Sequence, residues 1–347
     1  MTIIAAIANL DRIEVTGGGI WVDGFSGADA GEQIQAALDY ANGMGSPQSL
    51  VFTQEKYTLA NSETFDFTGH AIAGMGGGQR GINLNFSNPT AGQTLVTVGG
   101  DRANVSNLWV SCGISGSSAP ALEAKWKDIT GIRFTGLTNA SVKHVEVRQY
   151  ATDTIGIVVD DDCENCLFET VALGAAMPVH YYGGTDMTFE NLDLSVRDDP
   201  ETPGTPGVTG GNIAAAIQGN PDGTTALNHV SFSGSVQGGN YAVYFDSPNI
   251  ATKGSMLQLK MLRSEQGDDL PSSGFYVHQH MIGTSDDGLE VLMFDGIRSG
   301  LAFTNGYDVL GVSLFERRGC FLSGAGAGGS QVPLSLDGIQ ALIDALP

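Results

Sequence analysis

The sequence is poor in charged residues, and in basic residues above all. Charged residues make up 16% of its 347 positions, against about 25% in an ordinary globular domain. The 16 Lys and Arg residues face 38 Asp and Glu residues, which sets the formal net charge at −22. A nucleic-acid-binding protein needs a basic face to replace the counterions on phosphate, so no nucleic-acid partner is expected.

Long apolar runs, an export signal and abundant cysteine are missing as well. No apolar run reaches the ~18 residues that a membrane-spanning helix requires, so membrane insertion is not expected. The apolar stretch at the N-terminus has no Lys or Arg before it, and Asp11 and Arg12 follow it directly, which differs from a secretory signal. The 4 cysteines are too few and too scattered for a disulfide framework. These features predict synthesis in a reducing cytoplasm without export.

Glycine, by contrast, is abundant, with 49 residues, and it accompanies a repeated pattern. Six residues recur as apolar, two variable, apolar, one variable, apolar, and the final alternation is typical of a strand with one buried face. The pattern occurs at Val105/Leu108/Val110, Val142/Val145/Val147, Phe168/Val171/Leu173, Phe189/Leu192/Leu194, Leu227/Val230/Phe232, Met256/Leu259/Met261, Leu289/Leu292/Phe294 and Val309/Val312/Leu314. A second pattern, a small residue before a short apolar strand, begins at Gly131, Gly156, Ala242, Gly274, Gly300 and Gly319.

Each unit therefore holds at least two short strands, joined by turns rich in Gly, Asn, Asp and Ser. Units of roughly 20 to 38 residues without a helical period fit a solenoid whose coils bury their inward side chains on one another. A β-propeller would need longer and more uniform units, and a β-sandwich gives no reason for the repeated register. The sequence predicts an all-β protein, a single-stranded right-handed parallel β-helix (solenoid) over residues 20–323.

The two ends of the chain differ from the repeats. Residues 29–42 carry apolar residues on one helical face, with Asp29 as the N-cap and Gly43 at the end. This pattern predicts an N-terminal capping helix over the open end of the solenoid, after an arm at 1–19. Residues 324–347 are predicted to form a Gly/Ala linker and a short amphipathic helix. Because such a helix is unstable alone, it must dock on its own coil or on a neighbouring subunit.

Several short segments near the N-terminus occur in a distinctive order. They are Asp23-Gly24, Ile34-Gln-Ala-Ala-Leu38, Leu50-Val-Phe52 and Tyr57-Thr-Leu59. An Asp-Gly turn, a helix with Ile-Gln-Ala-Ala and a first β-coil in this order resemble the pectate-lyase-like β-helix superfamily, and the glycine-rich residues 74–81 resemble the turn that follows there. That superfamily includes pectate lyases, polygalacturonases, epimerases and phage tailspike depolymerases. The resemblance implies the fold without implying one reaction.

Tests for well-known reactive motifs are negative. Residues 76–81 have the glycine spacing of a dinucleotide site, but a strand-like segment follows where that site needs a helix N-terminus. Cys163 and Cys166 have redox or zinc spacing without a second cysteine pair, so we interpret them as thiols in a coil turn and predict no metal site. Residues 69–71 read Gly-His-Ala, so the Gly-His-Gly motif that polygalacturonases typically show is absent.

Stacking of the coils predicts where a site would lie. If the second strands are in register, the residues just after them form one outward column of Asp160, Tyr182, Gln218, Asp246, His278 and Thr304. Adjacent coils lie about 4.8 Å apart, which would make Asp246 and His278 neighbours and place Asp160 roughly 14 Å away along the axis. Such a polar and aromatic column resembles a sugar-binding strip, although most outward positions of a solenoid are simply solvated turns.

These positions supply the candidate site residues. The candidate catalytic residues are Asp246, His278 and Asp160, and the candidate substrate-binding residues are Tyr182, Gln218, His280, Asp268 and Asp269. A glycosidase needs two carboxyl groups at a set separation, whereas a lyase or epimerase needs a base for the sugar C5 proton, which His278 could be. No one pairing stands out, so cleavage by a hydrolase or lyase and binding without cleavage both stay open. No cofactor is required, although a bridging Ca²⁺ would be compatible with the negative charge.

The resemblance, the low charge and the expected lack of export favour one function. We interpret the chain as a phage tailspike-like virion protein, made in the host cytoplasm, that binds a host cell-surface polysaccharide and could depolymerise it. Its terminal segments would dock within a homotrimer or on other virion proteins. Two alternatives stay open: a non-catalytic virion spike or fibre for adhesion, and a secreted bacterial polysaccharide lyase or hydrolase.

Overall fold

Helix α1 spans Ala30–Gly43, and local hydrogen bonds explain where it begins. The Asp29 carboxylate accepts a hydrogen bond from the Glu32 backbone N–H (2.9 Å), and Glu32 Oε2 accepts one from the Ala28 N–H (2.7 Å). These bonds satisfy backbone donors that the start of a helix otherwise leaves without a partner. The buried face of the helix consists of Gly31, Ile34, Ala37, Leu38 and Ala41. The predicted helix, its N-cap and its end at Gly43 are confirmed.

The computed structural model of the protein describes sixteen stretches of the chain. They are residues 13–15, 19–59, 63–75, 81–87, 89–112, 129–149, 154–196, 215–220, 224–237, 241–247, 249–250, 255–265, 275–279, 289–299, 308–310 and 314–320.

Apart from α1 and a 3₁₀ turn at Val22–Gly24, the regular structure described is β-strand. Strands β1 to β13 are Ile13–Val15, Gly19–Trp21, Ser49–Phe52, Lys56–Leu59, Phe65–Asp66, Ala71–Gly74, Ile82–Phe86, Thr94–Asp101, Val105–Cys112, Thr130–Thr138, Ser141–Gln149, Ile155–Val159 and Glu164–Ala175. Strands β14 to β26 are Met177–Tyr181, Thr185–Val196, Ala215–Gln218, Thr224–Thr225, Val230–Gln237, Tyr241–Ser247, Asn249–Ile250, Ser255–Glu265, Phe275–Gln279, Leu289–Asp295, Arg298–Ser299, Asp308–Leu310 and Leu314–Arg318.

The chain winds in coils, and successive coils add strands to three parallel sheets. Sheet 1 contains β5, β8, β10, β12, β14, β16, β19, β22 and β25. Sheet 2 runs from β2, β3 and β6 through the first halves of β9, β11, β13, β15, β18 and β21 to β23 and β26. Sheet 3 contains β4, β7, the second halves of those same six strands and β24. Among the described strands only β1 and β2 pair antiparallel, so the fold is the parallel β-helix that the sequence predicts.

Residues with left-handed backbone angles turn the chain at two corners of the coil. Between sheets 1 and 2 they are Arg102, Asn139, Asn165, Asp186 and His229, and between sheets 2 and 3 they are Asn107, His144, Thr170, Asn191 and Gly234. Asn and Asp tolerate this conformation because their short side chains can hydrogen-bond locally. At the first corner the side chains also connect coils, since Asn165 Nδ2 donates to Asn139 Oδ1 (2.8 Å). The corners thus hold successive coils in register.

Inward side chains of successive coils form one hydrophobic core. Phe168, Phe189 and Phe232 pair in register on sheet 2, and their ring centroids lie 4.5 and 4.6 Å apart. Burying an aromatic or large aliphatic side chain contributes about 1.5–3 kcal/mol. Because each coil covers the apolar interior of the next, alternate residues along a strand remain available to face outward.

The Asp23-Gly24 turn ties the cap region to the first coil. The Asp23 carboxylate accepts hydrogen bonds from the Thr53 N–H (2.9 Å), Gln54 Nε2 (2.6 Å) and the Tyr57 hydroxyl (2.6 Å), and from the Thr53 hydroxyl. Burial acts to raise the pKa of Asp23, but the hydrogen bonds from Thr53, Tyr57 and Gln54 outweigh burial and lower that pKa. The Asp-Gly segment, which is part of the superfamily resemblance, therefore has a structural role in this chain.

The repeat pattern gives the right register in its first units and the wrong one later. Val142 pairs with Val105, and Phe168 pairs with Val142 and Phe189, as predicted. In the unit that begins at Leu227, however, the third position, Phe232, pairs with Phe189, which is a first position. The same apolar spacing spans both corners of a coil, so the pattern alone does not tell which corner it marks.

Several sequence-based expectations can be compared with the described residues and others cannot. Strand β7 begins directly after Gly81, which supports the rejection of a dinucleotide site. No helix within the described ranges has the length and apolar character of a membrane span. Residues 1–12 and 321–347, which include the predicted C-terminal helix, lie outside the described residues, so the domain boundaries stay predictions.

Candidate functional site

Two columns of residues run along the outer face of sheet 1. Phe134, Val159 and Tyr181 point into the core, so their neighbours on either side along each strand face outward. Column A consists of the positions paired in register as Arg133, Val158, His180, Gln218 and Tyr244. Column B lies two residues further along each strand from Val158 onward: it contains Asp160, Tyr182 and Asn220 and, by backbone register alone, the paired positions Asp246 and His278.

The observed register corrects the predicted column in part. Asp246 pairs with His278 on adjacent strands, and Tyr182 N–H donates to the Val159 carbonyl (2.8 Å), beside Asp160. Gln218, however, pairs with His180 and Tyr244 and so belongs to column A. The predicted column placed it two residues out of register because β16 is short and its apolar residues do not mark its end.

The other predicted site residues are not shown to lie near one another in the described part of the structure. Leu310, and not Thr304, pairs with His278. His280, Asp268, Asp269 and Thr304 lie outside the described residues. The catalytic roles of Asp246, His278 and Asp160 therefore stay predictions.

Arg133 and Asp160 form a forked ion pair between the two columns. Arg133 Nε lies 2.8 Å from Asp160 Oδ2, and Arg133 Nη2 lies 3.1 Å from Oδ1. The hydrogen bond to Asp160 raises the pKa of Arg133. The arginine side chain is 49% exposed, whereas that of Asp160 is 12% exposed. Because both carboxylate oxygens accept from Arg133, Asp160 is engaged in a forked ion pair and is poorly suited to be a free catalytic base.

His180 lies beside this ion pair, stacked on Tyr182. The two rings have centroids 4.4 Å apart and an interplanar angle of 29°. Burial lowers the pKa of His180 to about 4, against a small opposite effect of Asp160. The imidazole is therefore neutral near pH 7 and offers one donor and one acceptor nitrogen. Tyr182 is partly exposed, so the stacked pair has one buried ring and one ring that solvent reaches.

Gln218 is the most deeply buried polar residue of column A. It is 1% exposed, yet among the described residues neither its Oε1 nor its Nε2 has a hydrogen-bond partner. His180 Nε2, on the neighbouring strand, is also buried with no partner in that part of the chain. Since buried polar groups in proteins nearly always form hydrogen bonds, three such atoms at adjacent positions are unusual.

Sequence reasoning missed Arg133 and His180. Both lie two residues before the predicted column, inside apolar strands, where a polar residue at an outward position was an available signal. In Gly131-Ile-Arg-Phe and Met177-Pro-Val-His-Tyr they are the polar residues that interrupt the apolar run. The rule that looked only beyond the strand end could not find them.

A second polar surface lies on sheet 3. Glu146 and Arg148 form an ion pair (2.6 Å), and Trp109 pairs in register with Glu146. On the next outward position, the Ser111 hydroxyl donates to Asn83 Oδ1 (2.9 Å) or Asn85 Oδ1 (3.0 Å). The Ser111 hydroxyl is therefore satisfied by amide oxygens of the neighbouring coil.

The cysteines in the described residues form no disulfide. Cys163 and Cys166 are free and buried, and burial raises the pKa of Cys163 to about 12 and raises that of Cys166. A thiol with a raised pKa is a poor nucleophile and a poor metal ligand. Within the described ranges no group of three or more His, Cys, Asp or Glu residues could hold a metal ion.

Comparisons with known proteins add similarity of fold. No protein-family model and no curated protein sequence matches the chain. Among solved structures it is similar to the Dettilon tailspike protein gp208, with TM-score 0.47 and 13% identity over 86% of this chain and 55% of that chain. The chain thus spans about half the length of that tailspike.

Two further solved structures are A-modules of mannuronan C-5 epimerases from Azotobacter vinelandii. The chain is similar to the A-module of the mannuronan C-5 epimerase AlgE4, with TM-score 0.36 and 12% identity over 90% of this chain and 100% of that one. For the AlgE6 A-module the TM-score is 0.27 and the identity 14%, over 89% and 97%. At these identities and scores a function has to be argued from the residues of this chain.

Proposed function

We propose that this protein binds a cell-surface polysaccharide along the outer face of sheet 1, as a tailspike-like protein would. The observation that carries the proposal is the His180–Tyr182 stack beside the half-exposed Arg133 guanidinium. An aromatic ring offers a flat apolar surface to the C–H face of a sugar, and nearby polar groups offer hydrogen bonds to its hydroxyls. Parallel coils repeat these positions about every 4.8 Å, so an elongated glycan can meet several coils.

Binding without cleavage at this face is favoured by the state of Asp160. Its two oxygens are engaged by Arg133, and the neighbouring imidazole is a weak base because burial lowers its pKa to about 4. Depolymerisation is a second candidate activity, favoured by the pairing of Asp246 with His278 on adjacent strands of the same sheet. The wider proposal of a virion homotrimer attached through residues 1–19 and 324–347 rests on the sequence interpretation.

The binding proposal is tested by one substitution and one matched control. Tyr182→Ala removes the stacking surface, and we expect it to weaken binding to the polysaccharide at least tenfold, equivalent to about 1.4 kcal/mol. Lys143→Ala removes an exposed side chain on sheet 2 that is ion-paired with Glu169 (2.9 Å), and we expect unchanged binding. Affinity is measured by calorimetry against purified bacterial surface polysaccharides. Binding of none of them, or equal binding by Tyr182→Ala, would contradict the proposal.

Cleavage is tested separately on the same polysaccharides. Reducing ends and unsaturated uronate are measured for the unaltered protein and for Asp246→Ala and His278→Ala. Products that vanish in both variants would support the predicted catalytic pair and the depolymerase interpretation. Unchanged cleavage would exclude that pair, and no cleavage of any bound polysaccharide would favour an adhesion role.

A further inference from the structure

Column A contains one group of buried polar atoms that form no hydrogen bond with the described residues. Gln218 Oε1 and Nε2 and His180 Nε2 lie on paired positions of β16 and β14, and all three atoms are buried with no hydrogen-bond partner in the described parts of the chain. An unsatisfied buried polar group destabilises a protein by about 1–3 kcal/mol. An apolar residue at either position would avoid that cost, so the retained polarity needs an explanation such as a ligand.

From this geometry we infer that Gln218 and His180 form a subsite for two adjacent hydroxyl groups of an uncharged sugar, an inference that rests on the proposed polysaccharide-binding function. A primary amide presents a donor and an acceptor side by side. Two neighbouring sugar hydroxyls, each of which can donate and accept, complement that arrangement. The third atom, His180 Nε2, lies on the neighbouring strand and can donate to or accept from one of the same hydroxyls, because the imidazole is neutral.

The surroundings of this subsite select against charged sugars. Arg133 is the cation in column A, and its guanidinium is already engaged by Asp160. Asp161 and Asp162 are exposed on the adjoining turn. An anionic sugar would therefore meet a surplus of negative charge, and its carboxylate also costs more to remove from water than a hydroxyl group does.

Apolar residues around the two polar side chains fit the carbon skeleton of a sugar. Val158 pairs in register with His180 and is 6% exposed, and Tyr244 pairs in register with Gln218 at 9%. Pockets that bind small molecules commonly combine such apolar walls with a few polar groups that fix orientation. The subsite has this composition.

Tyr182 is the described aromatic side chain beside His180. It stacks on the imidazole and is partly exposed. Because His180 Nε2 is buried, a sugar can reach it only after a side-chain movement, and partly exposed side chains such as Tyr182 change rotamer on a fast time scale. Tyr182 then contacts the sugar ring, as the proposed function requires.

The test uses the unaltered protein first, so that it does not depend on a variant folding. Saturation-transfer NMR compares the methyl glycosides of glucose, galactose, mannose and rhamnose with those of glucuronic and galacturonic acid. We expect the tightest ligand to be an uncharged glycoside and the acidic ones to bind at least tenfold more weakly. Single-deoxy derivatives of that ligand should lose at least tenfold at two adjacent positions and nowhere else. Tighter binding of an acidic glycoside, or no loss on any deoxygenation, would overturn the inference.

A variant then ties the effect to the subsite. Gln218→Met keeps the length of the side chain and removes the amide, so we expect at least tenfold weaker binding with an unfolding temperature that is unchanged or higher. Wild-type affinity in Gln218→Met, together with lost polysaccharide binding in Tyr182→Ala, would overturn the diol subsite and leave the proposed function standing. Wild-type affinity in both variants would overturn both.

Discussion

Two buried tyrosines of this protein should respond in opposite directions to the same chemical change. Tyr57 and Tyr181 are 1% and 0% exposed. The Tyr57 hydroxyl donates to the Asp23 carboxylate (2.6 Å), whereas the Tyr181 hydroxyl has no hydrogen-bond partner within the stretches that the structure describes. Replacing each by Phe removes one oxygen atom and leaves the aromatic ring in place.

The expected magnitudes follow from what each oxygen does. In Tyr57→Phe a hydrogen bond to a charged group is lost, which is worth about 1.5–3 kcal/mol. In Tyr181→Phe the cost of burying an unsatisfied hydroxyl is removed, which is about 1–3 kcal/mol, while ring contacts to Phe189 (5.9 Å) and Phe232 (5.5 Å) remain. We therefore expect Tyr57→Phe to lower the free energy of unfolding by about 2 kcal/mol and Tyr181→Phe to raise it by about 1 kcal/mol.

Equilibrium urea unfolding measures both changes. The midpoint should move down for Tyr57→Phe and up for Tyr181→Phe, with an unchanged slope in each, because neither change alters the surface exposed on unfolding. Equal destabilisation by the two substitutions would refute the reasoning, since the Tyr181 hydroxyl would then have a hydrogen-bond partner.

Three further predictions concern the backbone and the pH dependence of stability. Gly81→Ala should lower the unfolding temperature far more than Gly45→Ala. Both glycines have positive φ, but only at Gly81 would a Cβ lie 2.2 Å from the Asn107 carbonyl oxygen. Equal losses in the two variants would mean that backbone strain, and not this clash, causes the destabilisation. Asp23→Asn should destabilise the protein near neutral pH. Its difference from wild type should shrink as the pH falls below about 3.9, because the unfolded chain then protonates Asp23 while the folded chain, in which the pKa of Asp23 is lowered, does not. A constant difference would contradict this. His180 should make the free energy of unfolding decrease as the pH is lowered from 6.5 to about 4, because the unfolded chain takes up a proton on His180 that the folded chain does not. A His180→Phe variant whose stability has the same pH dependence as wild type would contradict a buried neutral imidazole.

The fold could be predicted because its determinants are local and repeated. A few neighbouring residues are enough to predict each structural element: the Asp29 cap and the apolar face predict the helix, and the alternation of apolar residues predicts the strands. Stacking then follows, since coils with one apolar side can be stable only on one another. No long-range information beyond the repeat was needed for this step.

The register could not be predicted throughout because the two corners of a coil have the same local sequence signature. Val105 and Leu108 flank the left-handed residue Asn107 at one corner, and Leu227 and Val230 flank His229 at the other. Both read as apolar, two variable, apolar. Only the hydrogen-bonded pairing of Phe232 with Phe189 distinguishes the corners.

The candidate site was predicted in part for a related reason. Asp160 and Tyr182 follow the ends of apolar strands, so the rule that looked there found them. Arg133 and His180 lie within strands, and their importance comes from contacts across coils, with Asp160 in one case and Tyr182 in the other. Such contacts depend on the register and on burial, which single-strand patterns do not contain.

The central claim, that a polysaccharide binds to the outer face of sheet 1, can be located directly by hydrogen–deuterium exchange. The protein is compared with and without the bound polysaccharide that the calorimetric panel identifies. We predict slower exchange in the peptides that carry Arg133, Asp160 and Tyr182, and no change in helix α1. Protection confined to the sheet 3 surface around Trp109 and Arg148, or no protection anywhere, would contradict the claim.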